Sequence, residues 1–168
     1  MPSRKEQTIR VMRSLSVGLS NASVNSEFHL HGGCMATSSI RVLVVDDFEP
    51  FRRVVCSALE QMPDLQVIGQ ASDGLEAVQK AQELKPDLIL LDIGLPTVNG
   101  IEAAHQISRL LPGATILFVS QNNDADVVAA ALSNGAKGHV LKLNVGTELL
   151  PAIEAVLRGE QFLGRGIK

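Results

Sequence analysis

From Pro86 to Pro96 the sequence reads Pro86-Asp87-Leu88-Ile89-Leu90-Leu91-Asp92-Ile93-Gly94-Leu95-Pro96. Its centre is an unbroken aliphatic run that cannot alternate between a wet face and a dry one. A run of this length, bounded by Pro and Gly, fits a strand buried on both faces, as in a parallel sheet covered by helices. Such sheets carry their ligands and chemistry at the carboxyl ends of the strands. Asp92 stands at that end. A carboxylate beside so apolar a run is costly without a compensating partner, so the rest of the chain has to supply one.

The same text repeats on either side. Ile40 to Val45 is apolar and β-branched, and it ends in Asp46-Asp47. Pro50 falls in a first helical turn, where its missing N–H is no loss. Phe51, Val54, Val55, Ala58, Leu59 and Met62 follow at helical spacing, closed by Pro63-Asp64. Leu65 to Ala71 is a second strand, and Ser72-Asp73-Gly74 turns into a helix over 75–84 with Leu75, Val78, Ala81 and Gln82 on its repeat. Asn99-Gly100 opens a helix over 101–110, stopped by Pro112-Gly113. Ala114 to Val119 is a fourth strand ending at Ser120, and a short helix over 124–132 ends at Asn134-Gly135, a left-handed cap. Gly138 to Leu141 is a fifth strand ending at Lys142, and Thr147 caps a last helix with Leu149, Leu150, Ile153, Val156 and Leu157 inside. Successive β-then-α units with right-handed crossovers place helices on both faces of one sheet. The expected fold is α/β: a doubly wound five-stranded parallel sheet, order 2-1-3-4-5, over residues 39–160, with 161–168 a short tail or the start of a linker.

Composition bounds the partners. The chain has 168 residues, 45% of them apolar and 3% aromatic, so the core must be aliphatic and alanine-rich. The net charge is −3, and Arg4, Lys5, Arg10 and Arg13 against Glu6 and Glu27 leave the sequence after residue 35 still more acidic. That argues against a nucleic-acid surface on this domain. Cys34 and Cys56 form no disulfide framework, and a small buried thiol at Cys56 suits a reducing, cytoplasmic setting. No apolar run approaches the roughly 18 residues of a membrane span. Residues 1–38 are rich in Ser and Asn, lack periodicity, and are predicted to be a disordered extension, with Met35 a second candidate start. His29, His31 and Cys34 in that stretch make only a weak metal set.

The expected sheet brings Asp46, Asp47, Asp92, Ser120 and Lys142 into one crevice. Three carboxylates together raise one another's pKa unless a cation is present. Hard oxygen ligands suit Mg²⁺, which favours carboxylates together with a phosphate. The Lys142 ammonium and Ser120 hydroxyl would face the remaining phosphate oxygens, an arrangement suited to moving a phosphoryl group onto an aspartate. A nicotinamide-dependent oxidoreductase would need a glycine-rich turn after the first strand, and Asp46-Asp47-Phe48-Glu49-Pro50 excludes it. An aspartyl phosphohydrolase would place its nucleophile on the first strand and add a cap domain, for which there is no room.

Val44-Val45-Asp46-Asp47, the run Asp87 to Asp92 with Pro96 and Gly100 behind it, Ser120, and Gly135-Ala136-Lys137-Gly138 leading to Lys142 together resemble the CheY-like receiver domain of two-component response regulators. The resemblance implies that Asp92 is the phosphoacceptor. It implies that Asp46, Asp47, Asp92 and the Gly94 carbonyl hold Mg²⁺, that Lys142 binds the phosphate, and that Ser120 is a switch hydroxyl. It also implies a histidine kinase as phosphoryl donor and a possible homodimer through the fourth helix, fifth strand and fifth helix. His139 stands where the family more often has a switching Tyr or Phe, and it adds a group expected to titrate near physiological pH. Gly94 and Asn122 occupy the positions that tune phosphoryl lifetime in the family.

Leu143-Asn144 replaces the proline that many receivers carry after the lysine, which is similar to the NarL/FixJ (LuxR-type) subfamily. Those proteins bind DNA through a C-terminal helix-turn-helix that this sequence does not contain. Two readings therefore stand beside each other at this stage: the regulatory part of a LuxR-type transcriptional regulator, and a stand-alone receiver acting as a docking module without phosphorylation.

Overall fold

The computed structural model describes residues 39–168; the expected disordered extension of 1–38 and its His29, His31 and Cys34 lie outside the described residues. The elements are β1 (Ile40–Val45), α1 (Glu49–Glu60), β2 (Leu65–Ala71), α2 (Gly74–Leu84), β3 (Leu88–Leu91), α3 (Gly100–Leu110), β4 (Thr115–Ser120), α4 (Ala125–Ser133), β5 (Gly138–Leu141), a short 3₁₀ turn (Lys142–Asn144), α5 (Val145–Leu157) and β6 (Phe162–Leu163). All strand pairs are parallel, in the order β2-β1-β3-β4-β5-β6. The expected order 2-1-3-4-5 is present and is extended by a sixth strand. Phe162–Leu163, expected as tail or linker, joins the sheet beside β5.

Side chains alternate across the sheet as strand geometry requires. On one face Val42, Val44, Leu88, Leu90, Leu117, Val119 and Val140 meet Phe51, Val55 and Leu59 of α1 and Leu149, Ile153 and Val156 of α5. On the other, Leu43, Val45, Ile89, Leu91, Ile116 and Phe118 meet α2, α3 and Ala131 of α4. The all-buried pattern of β3 follows directly, because both of its faces are covered.

Two local expectations are corrected. The α2 helix begins at Gly74, with the Asp73 carboxylate accepting a hydrogen bond from Glu76 N. Ala77, Val78 and Ala81 consequently face inward, while Leu75 is 47% exposed and Gln82 is exposed. Thr147 is not the cap of the last helix: α5 starts at Val145, and Thr147 Oγ1 donates back to the Asn144 carbonyl at 3.2 Å. At the end of α4 the expected left-handed turn is present, with Gly135 at φ +102°.

Candidate functional site

The carboxyl ends of β1, β3, β4 and β5 bring Asp46, Asp92, Ser120 and Lys142 together. Backbone bonds set the first two in register, with Asp92 N donating to Val45 O at 3.0 Å and Asp46 N to Ala71 O at 3.1 Å. Gly100 then closes the loop behind Asp92, its N–H donating to Ile93 O at 2.9 Å. A Cβ at Gly100 would lie 2.0 Å from the Asp92 carbonyl oxygen, so only glycine lets α3 begin this close to the acidic residue.

Lys142 is the centre of charge. Its Nζ pairs with Oδ2 of Asp92 at 2.9 Å and with Oδ2 of Asp46, and it lies 4.7 Å above the Phe51 ring. All three charged residues are almost fully buried. One oxygen from each of Asp46, Asp47 and Asp92 falls within 4.8 Å of the others, with Asp47 the least buried of the set. Burial raises the pKa of Asp46; the Lys142 ammonium opposes this and the Asp92 carboxylate adds to it. Three carboxylates against one ammonium leave excess negative charge in a desolvated place, which fits a divalent cation held by oxygen ligands.

Beside this cluster an open cleft of about 360 Å³ is lined by Asp92, Ile93, Gly94, Ser120, Gln121 and Asn122. Gly94 N donates to Asp92 Oδ1 at 3.3 Å, and Asn122 N donates to Ser120 Oγ at 2.9 Å. His139 sits on β5 with no solvent exposure, and neither ring nitrogen has a hydrogen bond of good geometry. Burial pushes its pKa down to about 4, opposed in part by the Asn122 backbone and by Asp92. The expectation of titration near physiological pH is therefore corrected: a ring shut off from water holds its charge poorly.

Residues 42–154 match the family described as the response regulator receiver domain. The chain belongs to that family. It is 42% identical over 124 residues to the transcriptional regulatory protein LiaR of Bacillus subtilis, covering 74% of this chain and 59% of that one. It is 45% identical over 109 residues to a protein-glutamate methylesterase/protein-glutamine glutaminase of Thermotoga maritima, covering 64% of this chain and 32% of that protein. A solved LuxR-family two-component response regulator from Aurantimonas sp. SI85-9A1 superposes with a TM-score of 0.71 at 33% identity, over 74% of this chain and 89% of that one. The chain thus spans about a third to three-fifths of the length of these curated relatives. LuxR-type regulators, the subfamily expected from Leu143-Asn144, are among these relatives.

Every side chain expected at the receiver site lies at one edge of the sheet. Sequence reasoning missed the residues that hold them. Phe48 N donates to Asp46 Oδ1 at 2.9 Å, and Arg52 Nη1 donates to the Asp46 carbonyl at 2.5 Å. Phe51, read from spacing only as a core residue, also roofs the Lys142 ammonium. The available signal was the helix phase: Phe48, Phe51, Arg52 and Val55 lie on the side of α1 that follows directly from the acidic pair.

Proposed function

We propose that this receiver accepts a phosphoryl group on Asp92 from the phosphohistidine of a histidine kinase. A carboxylate oxygen of Asp92 attacks phosphorus, the P–N bond breaks, and its electron pair leaves on the imidazole nitrogen, which takes up a proton. The product is an acyl phosphate on Asp92. Asp46, Asp47, Asp92 and the Gly94 carbonyl would hold Mg²⁺, which neutralises charge on the phosphoryl oxygens when bound. Lys142 exchanges its pairing with the Asp92 carboxylate for a phosphoryl oxygen, and the Ser120 hydroxyl donates to another from across the cleft. Gly94 leaves the approach to phosphorus open, and Asn122 holds the Ser120 loop. By likeness to LiaR, the output is transcriptional control through a DNA-binding domain, with a homodimer through α4, β5 and α5 as the active form.

One observation carries the reading. A fully buried lysine is paired to Asp46 and Asp92 at the rim of an open cleft that also presents Ser120. A merely structural ion pair has no need of a third carboxylate, a hydroxyl and a solvent-open face. The test is intact mass after incubation with Mg²⁺ and acetyl phosphate. The parent gains one phosphoryl group and Asp92→Asn gains none. Equal gain in both would move the acceptor elsewhere, and no gain in either folded protein would favour docking without phosphorylation.

A further inference from the structure

The segment after α5 does more than end the domain. Phe162 N donates to Lys137 O at 3.1 Å and Gly164 N to His139 O at 2.8 Å, adding a two-residue strand to the β5 edge. The chain then crosses the α4–β5–α5 face. Asn144 Nδ2 donates to Arg165 O at 3.0 Å, and Arg165 N donates to both oxygens of Glu148 at 3.3 Å. Glu148 is 5% exposed and also faces the Arg165 guanidinium at 3.3 Å, so the tail satisfies a buried carboxylate on α5. Finally Lys168 N donates to Asn123 O and Ala125 N donates to Lys168 O, each at 2.8 Å, a reciprocal backbone pair with the loop after Ser120.

Four of these anchors border the receiver site. Asn123 and Ala125 stand three and five residues after Ser120, His139 is the buried ring of β5, and Asn144 stands two residues after Lys142. The tail itself contributes little core: Leu163 is 52% exposed and Phe162 only half-buried. A segment held by polar bonds and little apolar area opens at low free energy. A shift of the Ser120 loop toward a phosphoryl group would move Asn123 and Ala125 while His139 stays in the β5 ladder, and the tail cannot follow both.

We propose that residues 162–168 are a latch: in the unphosphorylated chain they occupy the α4–β5–α5 face, and phosphorylation of Asp92 releases them. This rests on the phosphoacceptor reading. The fit is close at Gly164, where an added Cβ would lie 2.6 Å from Glu148 Oε2 and 3.2 Å from the His139 carbonyl. Gly164→Val therefore springs the latch while leaving Asp46, Asp92, Ser120 and Lys142 unaltered.

The experiment is amide hydrogen exchange on the full chain, read at 162–168, before and after treatment with Mg²⁺ and acetyl phosphate, with phosphoryl gain followed by mass on the same samples. Exchange at Gly164 and Lys168 is expected to accelerate about tenfold on phosphorylation, within the usual range of coupling between sites. Gly164→Val is expected to show that acceleration with no donor present, and still to gain a phosphoryl group. Phosphoryl gain with unchanged exchange at 162–168 in the parent overturns the latch and leaves Asp92 as acceptor. Failure to gain mass overturns the acceptor reading and the coupling with it.

Discussion

At His139 the chain places a titratable ring where a receiver more often has Phe or Tyr, and burial outweighs the Asn122 backbone and the Asp92 carboxylate that favour its charge. The ring is fully buried, its nitrogens lack well-formed hydrogen bonds, and its pKa is pushed down to about 4. The folded protein therefore binds this proton later than the unfolded chain, whose histidine titrates near pH 6.5. Stability from this group is complete above that value and is lost as pH falls from about 6.5 toward 4. His139→Phe removes both the orphaned polar atoms and the proton uptake. Urea unfolding should find the variant more stable by about 1–2 kcal/mol at pH 7, with the gap widening at pH 5. A variant that gains nothing at pH 7 would show that the ring nitrogens are satisfied in solution. The sequence misjudged this residue's titration, because its burial cannot be read from a single histidine in a short run.

At the scale of elements, the strands were more legible than the helices. β1, β2 and β5 begin and end where their apolar runs do, and in β1 and β5 burial leaves little choice of register. Helix phase was less secure: in α2 Val78 and Ala81 are buried as expected, but Leu75 and Gln82 are not. In α2 the Asp73 cap starts the helix at Gly74, against the Val98 carbonyl, and it rotates Leu75 into water while Ala77 becomes fully buried. The apolarity of Leu75 misled; the small residues Ala77 and Ala81 carried the true face, because α2 lies close against the sheet and α3. Leu75→Gln should change stability by no more than about 0.5 kcal/mol, as surface substitutions do. Ala77→Leu should cost about 1–3 kcal/mol by overpacking. Thermal unfolding of the two variants decides the matter, and the opposite ranking would restore the sequence-derived phase. The sixth strand, Phe162–Leu163, is too short an apolar run to announce itself. Two residues held by a neighbour's backbone set no hydrophobic period of their own.

For the whole molecule, the two cores bury the central strands β1, β3 and β4 from both sides and leave their carboxyl edge as a place where charge collects. Convergence of Asp46, Asp92, Ser120 and Lys142 was legible because parallel topology alone brings those strand ends together. The balance of charge there was not, since it depends on Lys142 lying almost wholly out of water between two carboxylates. That balance makes a thermodynamic prediction. Burial, reinforced by Asp92 and only partly offset by Lys142, raises the Asp46 pKa, so the group favours folding least when ionised. Its contribution falls as pH rises from the ordinary carboxylate range through the raised value. Asp46→Asn should therefore have a higher melting temperature than the parent at pH 7 in the presence of a chelator, and the difference should shrink under acid. Mg²⁺ should reverse the order. At ten times its dissociation constant it should stabilise the parent by about 1.4 kcal/mol, roughly 4 °C for a chain of this size, and leave Asp46→Asn nearly unmoved. Equal Mg²⁺ shifts in both proteins would mean that the cation binds elsewhere and that the acidic cluster is only an ion-pair network around Lys142.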